Sequence, residues 1–383
     1  MVEGGGTGFL LNLLRFGLTI LSGVYCFLTE ILLFFYRCRL LKRKKLPGYT
    51  ISVGNITVGG TGKTPAVEML AKELQRRNRK VAILSRGYKR VHSPQSPLKY
   101  WWANIVPSKM PAGRHSKMGI VSDGTKMLMP VREAGDEPYL LAGNLPGIAV
   151  IVGKDRFSSG KYALDNLGVD TLILDDGYQH WPLERDLDIV VIDSTNPFGN
   201  GYLLPRGRLR EPLKNLRRGN LFLLTRVDQA DDLEGLRERL RKLNPGAKIM
   251  ETVHHPECLL ELRTGEQREL SLLAGKRALV LSSIGYPESF ERTLTSLGAL
   301  LVEKIRFPDH HWYNEDELRE IGAGALRKEA EFIVTTEKDT VRIPSGTASP
   351  VEILYLRIRL RIVRGEEILE ELFENVEDNR QGS

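Results

Sequence analysis

The feature that restricts this chain most is a glycine loop set between a strand and a helix. An apolar, β-branched run ends at Val53 and passes into Gly54-Asn55-Ile56-Thr57-Val58-Gly59-Gly60-Thr61-Gly62-Lys63-Thr64-Pro65. A helix over 64–76 follows, since Ala66, Met69, Leu70 and Leu74 recur at helical spacing on an otherwise polar surface. Strand, loop and helix in that order let backbone N–H groups and a helix N-terminus surround phosphate oxygens. Thr57, Val58, Gly59, Gly60, Thr61 and Gly62 would form the cradle, Lys63 would neutralise the β- and γ-phosphates, and the Thr64 hydroxyl would ligate Mg²⁺. The loop departs from G-x-x-x-x-G-K-[ST], because Thr57 stands where the first glycine belongs. Gly59 and Gly60 supply the turn instead.

Such a loop needs a second anchor for its metal, usually an aspartate at the end of a neighbouring strand. The run Thr171-Leu172-Ile173-Leu174-Asp175-Asp176 supplies two. One of Asp175 and Asp176 would touch the ion and the other its waters or the substrate; residue types alone do not say which. Loop and acidic pair together imply ATP and Mg²⁺, hence a nucleotide-dependent enzyme or switch.

The remaining pattern alternates short apolar strands with helical stretches, the mark of a parallel sheet covered by helices. Strands are expected near 50–53, 81–85, 148–152, 171–174, 188–192 and 221–224. A second series has strands near 278–283 and 332–335, with helices around 288–297 and 315–321. At 383 residues the chain exceeds what one core usually serves. The expected fold is α/β, a P-loop NTPase-like α/β/α sandwich over 47–230 with a second, smaller α/β domain over 231–383. Residues 89–127, rich in Lys, Ser, Pro and Gly, read as loop, either a flap over the site or a passive insertion.

Ahead of both lies residues 1–46, a membrane-associated segment. Phe16 to Tyr36 is 21 residues long with one charge, Glu30, and as a helix would span about 31 Å. Arg37, Arg39, Lys42, Arg43, Lys44 and Lys45 follow, a cluster that stays on the cytoplasmic side and is drawn to anionic lipid. Whether the helix spans the bilayer or lies in its interface is open. Residues 1–46 hold seven basic and two acidic residues, which leaves only +2 of the +7 net charge for everything after them. A nucleic-acid partner is therefore not expected, because a phosphate-tracking face needs basic residues spread over the folded body. The three cysteines, Cys26, Cys38 and Cys258, form no CxxC pair, so neither a disulfide framework nor a zinc site is indicated.

Further phrases accompany the loop. AGDEP at 134–138, GKDR at 153–156, LDDGYQH at 174–180, LLPRGRLREP at 203–212, FPDHHWY at 307–313 and TTEKD at 335–339 follow GNITVGGTGKTP in order. This set resembles the tetraacyldisaccharide 4'-kinase family, the lipid A 4'-kinases. The resemblance implies ATP-dependent phosphorylation of the 4'-hydroxyl of a tetraacyldisaccharide 1-phosphate, giving lipid IVA. It implies an acylated disaccharide as substrate and catalytic domains on the cytoplasmic side of the inner membrane, at its inner-leaflet lipids, with no protein partner. Asp136 would be the catalytic carboxylate and His310 its partner, with His311 one residue away as the other choice. Arg156 would stabilise charge on the transferred phosphate, as a fixed planar cation suits it. Gln179, His180 and Arg208, with Arg210 beside it, would contact substrate. Lys338-Asp339 would lie near the nucleotide or form a strand-end ion pair. The rival from another class is a P-loop GTPase or ATPase switch, or a metallochaperone-like protein, with Thr225-Arg226-Val227-Asp228 as a loose echo of a guanine-reading N-K-x-D.

Overall fold

The structure is a computed structural model that describes residues 8–87 and 118–378. It begins with α1 (Phe9–Arg37), β1 (Tyr49–Gly54), α2 (Lys63–Arg76) and β2 (Val81–Ser85). Next come β3 (Gly119–Asp123), α3 (Val131–Ala134), α4 (Asp136–Asn144), β4 (Ala149–Val152), α5 (Arg156–Leu167), β5 (Thr171–Asp175), β6 (Leu187–Asp193) and β7 (Leu221–Thr225). The remainder is α6 (Leu233–Leu243), β8 (Lys248–Glu261), β9 (Gln267–Arg268), β10 (Arg277–Ser282), α7 (Pro287–Ser296), β11 (Leu300–Arg306), α8 (Glu315–Arg327), β12 (Phe332–Thr336), α9 (Glu337–Thr340), β13 (Glu352–Arg364) and α10 (Glu366–Asp378).

Among the described residues all strands belong to one sheet, ordered β11-β10-β12-β13-β8-β7-β6-β1-β5-β2-β4-β3, with β9 attached to β8. From β7 to β4 the strands are parallel and buried but for Tyr49 and Asp193 at strand ends, with apolar runs such as Leu221–Leu224. The expected strands of both series are present. Residues 89–127 are a different matter: 89–117 lie outside the described residues, so the flap reading falls there, while Gly119–Asp123 is a strand, antiparallel to β4 at the sheet edge.

The two halves are joined by the sheet itself. The first residues of β8 pair with β7, while Glu251–Glu261 pair antiparallel with β13, the last strand of the second half's parallel set. Leu360 of β13 and Leu369 and Phe373 of α10 lie in the same apolar cluster as Leu70 and Leu74 of α2, so the C-terminal helix packs back on the first half. The chain's order reverses about β1, whose neighbours are β5 and β6, and crevices at such reversals are where open α/β sheets bind ligands.

Helix α1 has two faces. Ser22, Thr29, Leu33 and Tyr36 are buried against the body, whereas Phe9, Leu10, Leu13, Phe16, Ile20 and Phe27 are exposed. Its length and composition suffice to cross a membrane.

Candidate functional site

The site starts where β1 ends. Gly62, at φ 88°, caps α2 in the left-handed region and lets Lys63 open the helix; Gly59, at φ 116°, makes the turn where a side chain would strike Arg208. The carbonyls of the loop are taken by protein donors. Asn55 Nδ2 donates to Thr57 O at 2.6 Å and to Thr61 Oγ1 at 3.0 Å, Arg208 Nε to Val58 O at 3.3 Å, Arg226 to Gly60 O at 3.3 Å, and Thr225 Oγ1 to Thr61 O at 3.0 Å. A loop held by its carbonyls offers amide hydrogens to a ligand, the arrangement an anion needs. Thr225 and Arg226 are thus supports of the loop; Arg226 also pairs with Asp193.

Register places the acidic pair beside it. Val53 is level with Asp175 and Leu84 with Leu174, which brings Ser85 Oγ to Asp175 Oδ2 at 2.9 Å. Burial, with Glu137 and Asp176 nearby, pushes the Asp175 carboxyl up to about 6. Asp176 sits in left-handed backbone, φ 53°, and takes both Nη atoms of Arg210 at 2.6 and 3.1 Å, with Lys63 Nζ at 3.8 Å. Burial opposes its charge, but Arg210 and Lys63 outweigh that and hold it well below the usual carboxylate range. Among the described residues no three acidic, His or Cys side chains cluster as a complete metal cage. That donor set suits Mg²⁺, which keeps waters and is held by one or two carboxylates plus phosphate oxygens. The crowding of Asp175 with Asp176 and Glu137 is charge that such an ion would relieve.

Arg156 opens α5 behind Asp155, whose side chain caps that helix by accepting from Phe157 N and Ser158 N. Its guanidinium is buried, reaches the Asp175 carbonyl at 3.5 Å, and is pushed down to about 10 by burial and by Arg86. His180 lies in the same cationic corner, pushed down to about 3 by burial and by Arg156 and Arg185, so it is a neutral imidazole. Gln179 is tied inward, donating to Asn55 O at 2.9 Å and Glu211 Oε1 at 2.8 Å. Arg208 lies over the glycine loop, where its carbonyl also accepts from Val58 N at 2.8 Å.

Across from the loop stands a carboxylate paired with an imidazole. Asp136, first residue of α4, accepts from His310 Nδ1 at 2.6 Å. His311 points elsewhere, stacking on Phe307 and meeting Glu317 at 3.1 Å. Burial would raise the Asp136 carboxyl, but the His310 hydrogen bond and the charges of Lys338 and Arg342 hold it at about 2. Glu137 pairs with Lys338 at 2.9 Å and lies close enough to Lys63 for that charge to act on it. The second half also touches the loop directly, as a Cβ on Gly285 would sit 3.4 Å from Gly60 N. Sequence reasoning did not find Asn55, Glu137 or Arg342. Asn55 and Glu137 lie within the glycine-loop and GDEP phrases and Arg342 three residues after TTEKD, but partner choice across the fold has no local signal.

Sheet order, loop and acidic strand end define a P-loop α/β enzyme whose glycine loop faces an aspartate–histidine pair, the histidine supplied by the other half of the molecule. Comparison with known proteins narrows the class. The tetraacyldisaccharide-1-P 4'-kinase family matches residues 14–99 and 112–377. The tetraacyldisaccharide 4'-kinase of Syntrophus aciditrophicus is 39% identical over 337 residues, 86% of this chain and 84% of that one. That of Anaeromyxobacter sp. strain Fw109-5 is 42% identical over 336 residues, 87% and 84% of the two chains. The crystal structure of LpxK from Aquifex aeolicus in complex with ATP matches with a TM-score of 0.72 and 31% identity, covering 94% of this chain and 99% of that one. This chain belongs to the tetraacyldisaccharide 4'-kinase family.

Proposed function

We propose that this kinase transfers the γ-phosphoryl group of ATP to the 4'-hydroxyl of a tetraacyldisaccharide 1-phosphate, the step that gives lipid IVA in lipid A biosynthesis. Family membership supports the reaction, and the single observation that carries its mechanism is the Asp136–His310 pair at 2.6 Å opposite the glycine loop. Asp136, held ionised, can only accept, so His310 donates to it from Nδ1, and in the neutral imidazole that leaves Nε2 as the acceptor. Nε2 takes the proton of the sugar hydroxyl as its oxygen bonds the γ-phosphorus and the bond to the β-phosphate bridging oxygen breaks, releasing ADP. Asp136 stabilises the imidazolium so formed. Backbone amides of Gly59, Gly60 and Gly62 and the Lys63 ammonium hold the phosphates, while the amides of Val58 and Thr61 are spent on the Arg208 and Gly59 carbonyls, and Arg156 faces the charge that spreads over the transferred group. Thr64, Asp175 and Asp176 would hold Mg²⁺, which supplies charge neutralisation between the β- and γ-phosphates.

The place of work follows from α1. Its contacts with the body run from Thr19, which accepts from Arg206 at 2.7 Å, through Ser22 and Tyr25 to Tyr36. Its other face, from Phe9 and Leu10 through Phe16, Ile20 and Phe27 to Phe34, is apolar and exposed, and a helix packed on the body along one side and apolar on the other suits the membrane interface. The helix therefore enters the interface from the side carrying the basic run 37–45, the cytoplasmic side, and brings the loop to an acylated substrate in the membrane.

Purified protein in detergent micelles with γ-labelled ATP and the tetraacylated disaccharide 1-phosphate tests the reading. Label enters the glycolipid with the wild type, and Lys63→Ala and Asp136→Ala each lower transfer at least a thousandfold with unchanged circular dichroism. Release of labelled phosphate from GTP with none in the lipid would instead establish the switch.

A further inference from the structure

Asp136 meets a third charged group that the reaction described above leaves without a part. Arg342 follows α9 and is fully buried, among the largest such side chains in the molecule. Its Nη1 donates to Asp136 Oδ2 at 3.2 Å, across 206 positions of chain. Its Nη2 donates to Asp339 Oδ1 at 2.6 Å and to the Ser283 carbonyl at 3.2 Å. Asp339 is itself fixed, accepting from Ser283 Oγ at 2.6 Å, Thr336 Oγ1 at 2.5 Å and Tyr313 OH at 3.2 Å. The guanidinium is thus anchored in the second half's interior and presents one edge to the first half. His310 is referred to the same knot, since its N–H donates to the Ser283 carbonyl at 3.4 Å.

Two donors anchored at Ser283 therefore converge on one carboxylate oxygen, while Glu137 N donates to the other at 3.0 Å. A carboxylate so gripped cannot rotate away from the imidazole. We propose that Arg342 is a positioning residue for phosphoryl transfer, holding Asp136 as the ionised and oriented partner of His310. The proposal rests on the reading of Asp136 and His310 as the base. Arg342 touches no reacting atom; it acts through Asp136.

The charged groups facing Asp136 are His310 and Asp309 on the loop after β11, Lys338 on α9, Arg342, and Glu137 on its own helix, with Lys63 acting on Glu137 from α2. Lys338 is shared with Glu137 and Asp309, whereas Arg342 bonds Asp136 directly. Removing the Arg342 cation raises the proton affinity of the Asp136–His310 pair, which moves the acid limb of the rate profile toward neutrality.

The experiment measures kcat, KM for ATP, and the pH profile of kcat/KM for the full-length protein in micelles containing the lipid substrate. Arg342→Gln is expected to lower kcat at least 30-fold, keep KM for ATP within twofold, and raise the acid limb by at least half a pH unit. Arg342→Lys keeps the charge but cannot bridge Asp136 and Asp339 together, so kcat falls about 5-fold with the limb unmoved. In an Asp136→Asn background, Arg342→Gln costs less than twofold more. If Arg342→Gln does not fold, Arg342→Lys decides alone: wild-type kcat, or a displaced limb, overturns the proposal. An unmoved limb in Arg342→Gln, or an undiminished cost in the Asp136→Asn background, does so too. Normal turnover by Asp136→Asn would remove the base reading and the proposal together, whereas an inactive Asp136→Asn beside an unaffected Arg342→Gln removes the proposal alone.

Discussion

Asp136 shows how one residue links stability to chemistry. Its carboxyl stands at about 2 in the fold against a model-peptide 3.8, so the native state holds the ionised form more tightly than the unfolded chain does. A depressed acid contributes stability that is fully present above pH 4 and is lost as pH falls through 2. For Asp136 that is on the order of 2 kcal/mol. Urea unfolding of wild type and Asp136→Asn at pH 5.5 and pH 2.5 measures it: the wild type's stability relative to the variant falls by roughly two-thirds of that amount at the lower pH. An equal gap at both values would show that His310 and Arg342 do not favour the charge. At this scale the sequence was readable where chemistry is local. Lys63 and Asp176, read from two short phrases, stand 3.8 Å apart once the register of β1 with β5 sets the strand end beside the glycine loop. Arg342 was not readable, because a basic residue three positions after a strand-end aspartate is usually a surface pair; the fold alone makes it interior.

Elements carry the next level. The loop 203–212 presents Arg208 to the glycine loop and Arg210 to Asp176, and α1 supports it from behind. Tyr25 OH donates to the Arg210 carbonyl at 2.7 Å, Ser22 Oγ to the Leu203 carbonyl at 2.9 Å, and Glu30 meets Lys214 at 2.7 Å and Asn215 at 3.0 Å. The apolar helix α1 thus also braces the loop that meets the glycine loop. Tyr25→Phe deletes one brace and leaves the exposed apolar face intact, so vesicle flotation stays unchanged while kcat falls about 3- to 10-fold. Unchanged turnover would reduce α1 to an anchor. Strands with short apolar runs, β2, β5 and β7, were legible, as was β1, where Ile51 and Val53 alternate with Thr50 and Ser52. Those that depart from the pattern were not: β8 carries Pro256 beside an irregularity in its pairing with β13, and β13 alternates arginines with apolar residues where the sheet passes from one half to the other.

At the scale of the molecule, the shared sheet raises the question of whether the halves are one cooperative unit. Backbone pairing through β8 and β13 is reinforced by Arg359, which reaches Glu68 of α2 at 3.1 Å, Glu337 of α9 at 3.3 Å and Glu257 of β8 at 3.3 Å. Glu68 and Glu337 are nearly buried and also share Asn144. Replacing the cation by Met keeps most of the volume and leaves these two carboxylates facing one another. Lys72 and Arg357 each retain one of them, which limits the loss to about 2 kcal/mol. If the sheet alone holds the halves together, amides of β6 and β10 exchange hydrogen with the same opening energy in wild type and in Arg359→Met, and the variant merely unfolds earlier. If the ion network is the coupler, β10 in the variant opens well before β6. Because Glu337 starts the short helix that carries Lys338 and Asp339, the second outcome also predicts a loss of kcat, since Arg342 would no longer be held at Asp136. The length of the β8–β13 ladder, ten paired positions, favours the first, and parallel exchange of the two strands in Arg359→Met is the result expected.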